Sequence, residues 1–127
     1  MELYLKVPNI ANKTIEKVLS YNFKNKSILK LALTHSSIKQ NPDSYERLEF
    51  FGDSIVGFIV SEWLYKKEKK LDQGKLTVLK NTLVSRKNMS LIAKEMNLIK
   101  YATIHKSVDL DSQTVVNRIN SDLYESI

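Results

Sequence analysis

Apolar positions along this chain recur at spacings of three and four, the period of helices that bury one side. The longest such stretch runs from Tyr45 to Tyr65, YERLEFFGDSIVGFIVSEWLY, and is apolar on nearly every side. With about 100° between successive residues, Glu46, Glu49 and Asp53 share one stripe, which continues through Val56, Val60 and Leu64. Phe51, Ile55, Phe58 and Ile59 occupy the other side. A helix that is apolar all round is expected to lie buried at the centre of a domain. Asp43, three residues before Glu46, gives it a start resembling a capping box. Its end is expected near Lys66, where a basic run complements the helix dipole.

Shorter helices are predicted around it. One spans about residues 12–20, with Ile15, Val18 and Leu19 on one face, and a second is capped by Ser27 and carries Ile28, Leu29, Ala32 and Leu33. Leu71-Asp72-Gln73-Gly74 reads as a turn, followed by a helix over residues 75–84 that buries Leu76, Leu79 and Leu83. Ser85 caps the next helix, with Met89, Ile92, Ala93 and Met96 inward. The last begins near Thr114 and carries Val115, Ile119, Asp122 and Glu125. Residues 1–10 read as a short extended or irregular lead-in, residues 38–43 and 105–113 as loops, and Trp63 and Met89 as core. The expected fold class is therefore all-α, a helical bundle around a buried central helix. The 127 residues fit one domain, 1–127, whose last helix stops in mid-pattern at Ile127 as though truncated.

Composition narrows the chemistry. The absence of Cys excludes disulfides and thiolate metal sites, and two His far apart in sequence disfavour a zinc site. A metal here would be held by oxygen, which suits Mg²⁺, Mn²⁺ or Ca²⁺. No apolar run is long enough for a signal peptide or membrane span, so no membrane partner and an intracellular setting are expected, with cytoplasm and nucleus left open. A formal net charge of +6 suits a polyanionic partner.

Against that basic background the acids stand out. Glu49 and Asp53 lie one turn apart on the central helix, and Asp122 and Glu125 lie one turn apart on the last. If the two helices pack side by side, four carboxylates converge, and each raises the others' pKa unless cations lie between them. One or two Mg²⁺ ions would fit such a donor set, and two ions about 4 Å apart can activate water and stabilise the leaving oxygen of a phosphodiester. The competing reading is a metal-free scaffold in which these acids are solvated or paired with Arg47 or Arg118.

The stretch from Glu46 to Ser54, ERLEFFGDS, resembles the ERLEFLGDA signature of the ribonuclease III catalytic domain. Leu31 to Ser37 (LALTHSS), Gly74 to Lys80 (GKLTVLK) with Leu83-Val84-Ser85, and Ser121 to Ile127 (SDLYESI) resemble further landmarks of that family in the family's order. The likeness covers roughly residues 20–127. It implies an all-helical endonuclease that cleaves double-stranded RNA as a homodimer, in a two-metal mechanism with Mg²⁺, for which Mn²⁺ could substitute. It implies catalysis and metal ligation at Glu49, Asp53, Asp122 and Glu125, support from Glu46, and a dimer contact at Phe50. The double-stranded RNA-binding domain that often follows is not in this sequence, and Gln73 stands where the family commonly has an acid. A ribonuclease III-like module that binds duplex RNA or serves an assembly without cutting is the alternative. Duplex RNA is read mainly through phosphates and 2′-hydroxyls, for which Lys66, Lys67, Lys69, Lys70, Lys75 and Lys80 are candidates. His35 reads as a hydrogen-bonded structural residue.

Overall fold

The computed structural model describes residues 4–5, 14–38 and 44–127. The capping-box residue Asp43 and the expected start of the first helix at Asn12 lie outside the described residues. Local sequence chemistry sets the first two helices. α1 (Ile15–Leu19) starts at Thr14, whose hydroxyl accepts from the Lys17 amide, and ends at Ser20 in the left-handed region. α2 (Lys26–Ala32) is capped by Asn25 and not by Ser27, because the Asn25 side-chain oxygen reaches the amides of both Ser27 and Ile28. That shift leaves Ile28 half exposed, with Leu29 and Ala32 buried.

α3 (Glu46–Lys67) is the long helix that the apolar run predicts. α4 (Gln73–Leu83) starts inside the expected turn, because the Asp72 carboxylate accepts from the Lys75 amide and caps it. Ser85 caps α5 (Arg86–Glu95) as expected, with Met89 and Ala93 buried. A 3-10 turn over Leu98–Tyr101 follows, then α6 (Gln113–Ser126). Helices account for the architecture. The described strands are the two-residue β1 (Tyr4–Leu5) and β2 (Ile104–His105), antiparallel with Tyr4 opposite His105, and a parallel bridge joins Thr34 to Thr103.

The core gathers around α6. Ile119 and Leu123 pack with Ile15, Leu29, Tyr45, Ala93, Leu98, Ala102 and Ile104. α6 lies against both α3 and α5, and the buried Ser126 hydroxyl donates to the Ala32 carbonyl at 2.8 Å, tying α6 to α2. The approach of α3 to α6 is so close that a Cβ at Gly52 would sit 1.6 Å from the Glu125 carbonyl oxygen.

The expectation of a central helix buried all round holds on one side only. The stripe through Val56, Val60 and Leu64 turns inward, Leu64 being fully covered. Phe51, Ile55, Phe58, Ile59 and Tyr65 are exposed, with Phe58 at 68% and Tyr65 at 77%. Trp63, expected in the core, is half exposed beneath the Lys67 ammonium, 4.8 Å from its ring centre. α4 buries none of its residues, and Leu79 and Leu83 are exposed at its outer side. The described residues of the single chain contain no layer that would cover this second apolar side. No described helix is long and apolar enough to cross a membrane.

Candidate metal centre

The first turns of α3 and the last turns of α6 run past each other at Gly52, and that crossing brings the acids together. Carboxylate oxygens of Glu49, Asp122 and Glu125 lie within 4.8 Å of one another. Asp53 is exposed and lines the same pocket with Glu46, Phe50, Arg86 and Arg118, outside the tight group of three. Of the two one-turn pairs read from the sequence, Asp122 and Glu125 converge with Glu49, and Asp53 stands at the rim. Glu46 is exposed at the mouth, where its amide donates to the Ser44 hydroxyl at 3.4 Å.

Asp122 is 4% exposed. Its Oδ2 accepts from the Tyr45 hydroxyl at 3.2 Å, and the Arg118 Nε approaches the same oxygen at 3.7 Å. Its Oδ1 is buried without a hydrogen-bond partner, and a guanidinium nitrogen of Arg86 stands 4.0 Å away, too far for a hydrogen bond. Burial pushes the Asp122 carboxyl up, although the Tyr45 bond and the two arginines pull the other way. Burial, with the charge on Asp122 behind it, also raises Glu49. Glu125 is pushed up to about 7, first by burial and then by the charges of Asp53, Glu49 and Asp122. A cluster of acids with elevated proton affinity and an orphaned buried oxygen is one that a cation would complete. The donors are all oxygen, which fits a hard divalent ion.

A family model for ribonuclease-III-like domains matches residues 25–127. The chain belongs to that family. Ribonuclease 3 of Helicobacter pylori is 37% identical over 120 residues, covering 94% of this chain and 50% of that protein. Ribonuclease 3 of Aliarcobacter butzleri is 38% identical over 113 residues, covering 89% of this chain and 50% of that protein. The chain thus spans about half the length of these curated relatives. A nuclease domain of ribonuclease III from Campylobacter jejuni, described as flexible in a region involved in dimer formation, superposes with a TM-score of 0.81 at 35% identity, covering 88% of this chain and 78% of that one.

Within this ribonuclease-III-like fold the other candidates are scattered. Phe50, at 80% exposure, stands where the carboxylate pocket meets the outer apolar side of α3. Lys66, Lys67, Lys69 and Lys70 sit at the opposite end of α3, about 25 Å from Glu49 at the helical rise per residue. Lys66 pairs with Glu62 at 2.8 Å and Lys75 with Asp72 at 3.3 Å, all at exposed positions. Lys80 lies against Gly57 and lines a groove with Ser61 and Gln73. His35 is lowered by burial, and its Nδ1 accepts from the Ser37 amide at 3.0 Å, in keeping with a structural role.

Three residues of the site escape a sequence reading. Tyr45 reads as the edge of an apolar run, although its position four residues before Glu49 puts it on the acidic stripe. Arg86 reads as the residue after a cap. Gly52 reads only as one position of the ERLEFFGDS stretch and not as the point of closest approach between helices.

Proposed function

We propose that this ribonuclease-III-like chain is a Mg²⁺-dependent endonuclease domain that hydrolyses phosphodiesters of double-stranded RNA. The reading rests on one observation, the convergence of Glu49, Asp122 and Glu125 at the α3–α6 crossing. Asp53 completes the ligand set from the rim, with Glu46 in support. When bound, the divalent ion supplies Lewis-acid chemistry, acidifying water and neutralising charge that develops on the phosphodiester oxygens. The chain's own residues do the rest. The four carboxylates would hold the ion, Arg86 and Arg118 balance the charge beside Asp122, and the crossing of two packed helices brings Glu49 to Asp122 and Glu125.

The likeness to a nuclease domain noted for dimer formation supports a homodimer. The exposed face of Phe50, Phe51, Phe58 and Ile59 is the surface we assign to it. Lys66, Lys67, Lys69, Lys70, Lys75 and Lys80 are assigned to RNA phosphates. The exposed pairs of Lys66 and Lys75 are worth at most about 1 kcal/mol each, so a phosphate can displace them.

Cleavage of long duplex RNA in Mg²⁺, against the same reaction in chelator, tests the proposal. Staggered double-strand cuts are expected with metal and none without it. Glu125→Gln should abolish cleavage and keep duplex binding in calcium-containing buffer. A folded dimer that makes no product at any Mg²⁺ or Mn²⁺ concentration would sink the assignment.

A further inference from the structure

The metal ligands come from two helices that are far apart in sequence, and one residue touches both. The Tyr45 carbonyl accepts from the Glu49 amide at 2.8 Å, so its backbone begins the turn that carries Glu49. Its hydroxyl reaches across to Asp122. Between those two ends the residue is clamped. It is 1% exposed, its amide donates to the Thr34 carbonyl at 3.2 Å, and its ring lies 5.5 Å from that of His35. Thr34 is itself bridged to Thr103, so the anchor reaches beyond α3.

The two oxygens of Asp122 are consequently not equivalent. Oδ2 is taken by Tyr45, whereas Oδ1 is buried without a hydrogen-bond partner, in a carboxylate that has an oxygen within 4.8 Å of oxygens of Glu49 and Glu125. A carboxylate held by one oxygen offers the other in a fixed direction. Arg118, whose side chain is 71% exposed and whose Nε is 3.7 Å away, balances charge at Oδ2 without fixing it.

We propose that Tyr45 is a positioning residue for the metal centre: its hydroxyl holds Oδ2 of Asp122 so that Oδ1 faces the cation as a single, pre-aimed ligand. The role rests on the metal site proposed above. Losing the hydroxyl frees the Asp122 carboxylate to rotate toward Arg86 or Arg118, so the ligand has to be re-ordered whenever a cation binds.

Tyr45→Phe keeps the ring and its packing and removes only the hydrogen bond. Calorimetric titration with Mg²⁺ alone, in the absence of RNA, should show affinity weakened by about 10- to 100-fold, the usual cost of losing a group that orients a ligand. The Mg²⁺-induced rise in Tm, taken within each protein against its own metal-free melt, should shrink in step. In cleavage assays at fixed, low Mg²⁺, kcat should fall with KM for RNA unchanged, and raising Mg²⁺ should restore it. A purely structural role would lower the metal-free Tm and leave Mg²⁺ affinity alone, and that result overturns the inference. If the wild type binds no Mg²⁺, the metal site fails and this role with it. If the wild type binds and Tyr45→Phe binds equally well, the positioning role fails and the metal site stands.

Discussion

Glu125 sits where burial and three neighbouring acids hold its carboxyl up to about 7. In the unfolded chain it ionises near the ordinary 4.5. Between those two values the native state binds more protons than the unfolded one, so this residue's contribution to stability falls as pH rises through the interval and the penalty is complete above it. Glu125→Gln removes the penalty. In metal-free buffer its Tm should therefore exceed that of the wild type by a margin that grows from pH 5 to pH 7.5, read by calorimetric melting. A constant margin would mean that neither burial nor the neighbouring acids raise the Glu125 carboxyl. A cation reverses the sign, because it binds the ionised cluster. Mg²⁺ should raise the wild-type Tm at pH 7.5 and lose its effect as protons compete for the same oxygens toward pH 5.5.

At the scale of elements, the α3–α6 crossing depends on Gly52. Alanine would gain about 1 kcal/mol of helix propensity, but its methyl group would meet the Glu125 carbonyl with only backbone to move. Gly52→Ala should be destabilising on balance by roughly 3 kcal/mol, the upper end of overpacking costs, and urea unfolding of the metal-free protein would show it. The widened crossing should also weaken Mg²⁺ binding, since Glu125 is the residue displaced. Sequence periodicity reached the helices themselves, and the one-turn spacings of Glu49 with Asp53 and of Asp122 with Glu125 singled out the acids of which three lie together at the crossing. It missed Asn25 as a cap because Ser27 satisfies the same pattern, and the short polar side chain that wins is decided by where the chain turns. It overestimated burial on α4 and on the outer side of α3, because a period of three to four marks which side chains avoid water without saying whether their own chain covers them. The crossing geometry was equally hidden. A glycine inside an apolar helix carries no label for the backbone it admits.

At the scale of the molecule, the outer side of α3 is the unresolved demand. Phe51, Phe58, Ile59 and Tyr65 are exposed together on one long helix, and burial of each would stabilise an assembly by about 1.5–3 kcal/mol. Phe58→Glu should convert the proposed homodimer to a monomer in light-scattering chromatography, with the helical content read by circular dichroism unchanged and the Tm lowered by the loss of association. A wild type that runs as a monomer at all concentrations would remove this face from the interface. The chain's +6 charge acts on the same scale. Duplex binding should weaken steeply with salt, as counterion release requires.

The acids proposed to hold the cation are drawn from residues 49 and 53 on one helix and 122 and 125 on another, with most of the described fold between them. Such a site has no partial form. A chain emerging from a ribosome presents α3 with its acids and the basic run after it before α6 exists, so the acids of α3 are made well before those of α6 can join them. On the proposed reading, order of synthesis would work as a safety catch: the nascent domain would stay chemically inert until α6 has docked.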